Sequence, residues 1–375
     1  MTRFAFVVLA FTLMQSALSV ASDRSTDSRA NLNSLPAPSA ARAGVEDAET
    51  HLRNAVTAQV GELWSKADFA GLDSMADKYV QTKERTLSGK WRLAIFYGAL
   101  SDLLAISWPN DGYLPDEDGS CQCIRPNPSK FNVAEREWDE VYSKVGQWIH
   151  RFPNSPHARI VQAQFFVNRA WFFRGSGYSS TVTKEAWPRV SQYIEDARKS
   201  LVDCQNACSA DPHWFEIMFF VASAQSWSHE QIDDLVHDLL EHGQSYVPAY
   251  QSAARLLLPK WSGSYEAVEA FARIATARNA KVEGNGMYTR IYWNLGESPT
   301  LFSQSRADWL AMKRGFEEIL VQYPDPRNLN GEAMFACAAG DRATYQSVMK
   351  QLGNRVIPSI WLVDLNYCQA RFGAI

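Results

Sequence analysis

One stripe of large apolar side chains occurs twice in this chain, in the same register. Trp138, Val141, Val145, Trp148, Ile149 and Phe152 fall at offsets 0, 3, 7, 10, 11 and 14 and run into Pro153-Asn154. Trp309, Met312, Phe316, Ile319, Leu320 and Tyr323 repeat those offsets and run into Pro324-Asp325. Such spacing places every member on one face of an α-helix, and a chain that meets Pro must leave the helix beside it. Trp187, Val190, Ile194, Ala197 and Leu201, ahead of Asp211-Pro212, form a looser copy. Ile232, Leu235, Val236, Leu239 and Leu240 add an amphipathic helix, and a degraded copy begins near Tyr265. Second helices of successive hairpins, starting at about 138, 187, 230, 265 and 309, recur every 35 to 49 residues or so, the range of tetratricopeptide and HEAT arrays. The pattern predicts an all-α fold, a right-handed α-solenoid of helix hairpins, tetratricopeptide-like. A short side-chain oxygen at Asn154, Asp211 or Asp325 would cap the helix after each break.

Composition limits what such an array does. Of 375 residues, 46% are hydrophobic and 21% charged, enough apolar surface for an ordered core. A formal charge of -4 gives no electrostatic footprint for nucleic acid. The 13 Trp, 14 Tyr and 19 Phe supply plates that fill gaps between helices or line a groove; Trp138, Trp148, Trp187 and Trp309 sit on the stripes, where core packing accounts for them. At the start, Arg3, the apolar run Phe4 to Met14 and Ser19-Val20-Ala21 have the order of a secretory signal peptide over residues 1–21. The mature chain then begins at Ser22, in the periplasm or outside the cell. No Cys follows that cleavage point, and no later window is long and apolar enough for a membrane span, so neither a lipid anchor nor a span is expected. Residues 22–43 read as a disordered tether, 44–131 as N-terminal helices with a long acidic loop from Trp108 to about Lys130, and 132–375 as the repeat domain.

Six cysteines in an exported chain favour disulfides over free thiols. Neighbourhood pairs Cys121 with Cys123 in a tight loop, Cys204 with Cys208 at a helix end, and Cys337 with Cys368 across the C-terminus. A metal site from Cys121, Cys123 and Asp116 or Asp118 lacks four ligands at zinc-like spacing.

The remaining constellations weaken on inspection. Asp116, Glu117 and Asp118 lack the alternating acidic pattern of a calcium loop. Gly175-Ser176-Gly177 follows a helix where a phosphate loop would open one. His229, His237 and His242 lack the spacing of a zinc helix, and no nucleophile elbow is present. No cofactor, metal or catalytic residue is nominated. Gly296-Glu297-Ser298 resembles the Glu-Ser pair of lytic transglycosylases, but Pro299-Thr300-Leu301 follows it and that family's downstream apolar Met-Gln motif is absent.

Leu256-Leu257-Leu258-Pro259-Lys260-Trp261-Ser262-Gly263-Ser264 resembles the Leu-Leu-Pro-Arg-Trp-Gly-Gly signature of a bacterial domain-of-unknown-function family, number four-zero-three-four. Ala170-Trp171-Phe172-Phe173-Arg174-Gly175, and Asn328 and Asn330 with the run Ala336 to Asp341, are similar to other parts of it. The resemblance covers about residues 135 to 370; Lys260 and Ser262 depart from the family's Arg and Gly. It implies helical-repeat architecture and supplies no activity. Read physically, Pro259 to Gly263 is a corner and Arg174-Gly175 a helix end. The same residues offer a binding set, Trp171, Arg174, Lys260 and Trp261, should the inner face of a solenoid bring successive hairpins side by side. The sequence therefore favours a non-catalytic module that binds a protein or peptide. The alternative is a helical enzyme acting on cell-wall or other glycans through loop carboxylates such as Asp111 and Asp116.

Overall fold

A computed structural model describes residues 47–106, 113–115, 124–126, 128–175, 182–295, 300–361, 363 and 365–373. The expectations for the signal peptide, the tether, Cys121, Cys123, Asp111, Asp116 and Glu297 lie outside them. The described fold is all-helical. It opens with α1 (Ala48–Ser65), α2 (Phe69–Thr82) and α3 (Arg92–Leu104). A three-residue antiparallel ribbon, β1 (Tyr113–Pro115) on β2 (Ile124–Pro126), is the only sheet among the described residues. Then follow α4 (Pro128–Arg151), α5 (Pro156–Arg174), α6 (Ala186–Asp203), α7 (Gln205–Cys208), α8 (His213–Ala224), α9 (His229–His242), α10 (Val247–Leu256), α11 (Tyr265–Arg278) and α12 (Gly286–Leu295). The chain ends with α13 (Leu301–Gln304), α14 (Trp309–Gln322), α15 (Pro326–Ala339), α16 (Arg342–Leu352) and α17 (Leu365–Phe372).

The five recurring segments are α4, α6, α9, α11 and α14, and each turns directly or through a short link into α5, α8, α10, α12 or α15. Helix α6 packs on α5 before it and on α8 after it, and α14 on α12 and α15, so these striped helices have partners on both sides. The two kinds bury themselves differently. In α6 only Val190, Ile194, Ala197 and Leu201 are buried, and in α9 only Ile232, Leu235 and Leu239. By contrast α8 is buried without a break from His213 to Ser223, and α15 from Asn328 to Cys337, as expected of helices enclosed on every side. Among the enclosed helices α5 packs on α8, α8 on α10 and α10 on α12, an arrangement compatible with a helical solenoid.

The marker residues differ in burial from copy to copy. Trp138 is wedged against Phe165 and Phe172. Trp309 is half-buried on the core and donates Nε1–H to Asp341, 3.1 Å away. Trp187, in the looser copy, is 37% exposed. Asp211 and Asp325 cap their helices, accepting from the backbone N–H of His213 and Arg327 at 2.9 Å. The third cap is Ser155, which accepts from Ala158 N–H, and not its neighbour Asn154. Ser155 takes the role because it stands directly before Pro156, the first residue of α5, so its hydroxyl reaches that helix's first free donors.

The inner row is not left open. Helix α3 carries Leu93, Ile95, Phe96, Tyr97, Ala99, Leu100 and Leu104 buried around its whole circumference, and it packs on α5 and α8. The turn before it, and Asp47 ahead of α1, reach further hairpins. Trp91 donates Nε1–H to the carbonyl of Ser245, Asn328 donates to the carbonyl of Ser88, and Arg327 forks onto Asp47 at 2.8 and 3.0 Å. One continuous hydrophobic core runs from Val56 to Phe372.

Two cysteine pairs stand at bonding distance, Cys204 with Cys208 and Cys337 with Cys368, and they account for all four described cysteines. The second ties α17 to α15 across 31 residues and the first closes a loop of only 4. Replacing Cys337 and Cys368 by Ser should therefore lower the unfolding free energy by about 3.5 kcal/mol in the chain-entropy model, against about 2 kcal/mol for Cys204 and Cys208. Denaturant melts of the two double variants check this, and equal losses would defeat it.

Candidate functional site

The densest chemistry lies where the N-terminal helices meet the hairpins. His157, at the start of α5, directs Nε2 to Asp77 of α2 and Nδ1 to Asp211 before α8, both at 2.9 Å. Tyr97 of α3 donates its hydroxyl to the same Asp211 oxygen at 2.5 Å. Burial works against the imidazolium, but the two carboxylates outweigh it and raise His157 from 6.5 to about 9. Burial alone would raise Asp211; His157 and Tyr97 instead hold it below the usual carboxylate range. Tyr97 is pushed well above its ordinary value by burial and by Asp211.

A second layer continues from the first. The Tyr97 ring stacks on His213 with centroids 3.9 Å apart. His213 Nδ1 lies 2.9 Å from Glu216, which also accepts from the Tyr246 hydroxyl at 3.3 Å. Tyr246 meets Trp91 edge to face, and the Arg85 guanidinium covers Trp91 at 4.1 Å. Arg85 and Arg290 both pair with Glu283, which is buried between them. The chain of contacts thus fastens α2, α3 and the turn between them to α5, α8, α10 and α12. Chemically it is a clamp. A histidine held cationic by two carboxylates is already protonated at neutral pH and cannot act as a base there, and with both N–H groups committed it is also a poor acid. Sequence reasoning nominated none of these residues beyond Asp211 as a cap. The available signal was the placing of ionisable side chains (His157, His213, Glu216) in the first turns of strongly apolar helices.

The four residues chosen from sequence occupy two separate settings. Trp171 sets its ring edge against Phe220, and Arg174 lies over Trp171 at 4.5 Å while donating to the carbonyl of Gly175 at 2.8 Å. Desolvation lowers Arg174 to about 10. Lys260 and Trp261 belong to a 3-10 turn, Pro259–Trp261, ended by Ser262 in the left-handed region at φ 71°. A Cβ on Gly263 would stand 2.1 Å from the carbonyl oxygen of Leu257, so the chain closes this corner only with glycine there. Lys260 borders a cavity of about 220 Å³ between α11, α12 and α13; Trp261 packs on the core.

A partly exposed aromatic row crosses α4, α5 and α6. Tyr142, 44% exposed, leans on Phe166 at 5.7 Å. Phe166 stacks on Tyr193 at 6.3 Å, and Tyr193 on Phe173 at 5.7 Å with only 6° between planes. Arg189 covers Phe173 at 4.9 Å. Beneath the row the guanidinium of buried Arg169 sits within 5.5 Å of Trp138, Phe172, Phe173 and Tyr193, paired with Glu135. These rings lie off the main stripes, which is why a search for periodicity passed over them.

The architecture thus defines a helical-hairpin protein with a clamped N-terminal layer. Residues 132–225, from within α4 to just past α8, match the model of a domain of unknown function (DUF4034). The match begins close to where the resemblance placed it. The Leu256 to Ser264 corner and the run Ala336 to Asp341 lie beyond it. No curated protein and no solved structure matches the chain.

Proposed function

We propose that this is an exported, non-catalytic module that binds a protein or peptide partner, with the aromatic row on α4 to α6 as its contact surface. The row carries the reading: tyrosine, phenylalanine and arginine side chains held rigid by mutual stacking, partly exposed and contiguous, are the composition of interface centres. It falls within the family-matched segment. Export, to the periplasm or beyond, is supported by the two cysteine pairs, which an oxidising compartment preserves. Among the described residues no helix is long and apolar enough to cross a membrane.

A photo-crosslinking residue placed at Tyr142 should give one discrete protein adduct in the native envelope fraction. That adduct should disappear when Tyr193 and Arg189 are both replaced by Ala. Retention on cell-wall glycan with no protein adduct would reject this reading in favour of a glycan-active protein.

A further inference from the structure

Glu332 is the one acidic side chain on α15, a helix buried without a break from Asn328 to Cys337, and it is only 6% exposed. Among the described residues no donor stands within hydrogen-bond reach of its carboxylate. Three charged groups on neighbouring elements act on it: Glu317 and Lys313 from α14, and Asp341 at the head of α16. Burial and the two acids push Glu332 up to about 7, against the pull of Lys313. Tyr345 of α16 turns instead to Trp361 and Phe372, Arg371 of α17 donates to the carbonyl of Cys337, and Arg355 donates to the carbonyl of Gln351. A buried carboxylate left without donors is costly to charge, and native structures keep few of them.

Asp341 is the opposite case. Its Oδ1 accepts from the Thr344 N–H at 3.0 Å. Its Oδ2 accepts from the Thr344 hydroxyl at 2.7 Å, from Trp309 Nε1–H at 3.1 Å and from Lys313 Nζ at 3.2 Å. Partial burial would raise Asp341, but these four donors hold it well below the usual carboxylate range. Lys313 also donates to the Thr344 hydroxyl at 2.6 Å, so its ammonium joins α14 to the head of α16. One lysine thus stands between an acid that is charged throughout the neutral range and one that is not. Environments that push two carboxyls apart in this way divide their roles.

We infer that Glu332, Lys313 and Asp341 form a proton-operated latch between α14, α15 and α16. With Glu332 protonated, Lys313 stays on Asp341 and Thr344 and holds α16 to α14. When Glu332 gives its proton to solvent, its new charge draws the ammonium toward α15. Asp341 then loses one donor of four, and Glu332 gains its first. The latch is independent of the aromatic row and of any partner.

Proton and nitrogen NMR on the full chain tests it, with the Trp309 indole N–H as reporter because it shares Asp341 Oδ2 with Lys313. That resonance, assigned by its loss in Trp309→Phe, should move downfield between pH 5.5 and pH 8.5 with a midpoint near 7, as Asp341 sheds a competing donor. Amide protection across Tyr345 to Leu352, corrected for intrinsic exchange, should fall roughly threefold to fivefold over the same interval, the worth of a partly exposed ion pair. The His157 clamp stays charged until about pH 9 and adds little to either change. In Glu332→Gln the indole should keep its acid-side position at every pH. In Lys313→Met it should start at the alkaline position and stay there, and Lys313→Arg should restore the titration. An indole that does not move through pH 7 in the wild type, or that moves equally in Glu332→Gln, overturns the latch. An unchanged titration in Lys313→Met does the same.

Discussion

Changing His157 to Asn should destabilise the protein by about 3 to 5 kcal/mol, because it strips the cation from between two carboxylates, one of them fully buried. The pH profile gives a sharper signature. His157 is about 9 in the folded chain against 6.5 as an ordinary histidine. Its contribution is therefore complete below pH 6.5 and fades as pH climbs through 9. That shift is worth roughly 3.5 kcal/mol in all, given about 1.4 kcal/mol for each pKa unit. Urea melts between pH 6 and pH 10 should show the wild type losing about that much relative to the Asn variant, whose own profile lacks this component. Parallel profiles for the two proteins would mean that the clamp is electrostatically idle.

Glu283→Gln should cost a similar amount, about 3 to 5 kcal/mol, for a different reason. It leaves Arg85 and Arg290 largely out of water and facing each other without their shared counter-charge. Because this pair joins the turn before α3 to the connection between α11 and α12, its loss should also loosen residues 47–104. Limited proteolysis would then cut in α1 to α3 well before the hairpins. Replacing all three charges by Met, Leu and Met should recover much of the stability, since removing a whole ion cluster is far milder than removing one member. If the triple variant is no better than Glu283→Gln, the charges act through something other than mutual compensation.

Both predictions concern residues that no periodic search isolates. The helices themselves were legible: the five segments that begin near Trp138, Trp187, Glu230, Tyr265 and Trp309 are all helices, and Phe152-Pro153 and Tyr323-Pro324 both end one. Periodicity reports which face of a helix is greasy, and Pro reports where it stops. The enclosed helices were harder to read, because α8 and α15 are buried all round and carry no contrast between faces for a stripe to show. Local cysteine spacing was enough for Cys204 with Cys208 and Cys337 with Cys368.

What the sequence determined by itself is the local content: amphipathic helices, their breaks and the corner at Pro259. Each follows from residues close together along the backbone. Only the tertiary structure decided that α3 fills the inner row, that His157, Asp77 and Asp211 converge, and that Tyr142, Phe166, Tyr193 and Phe173 form one row. Those contacts join positions tens to hundreds of residues apart. Their geometry depends on how helices cross and stack, which side-chain spacing along one helix does not encode.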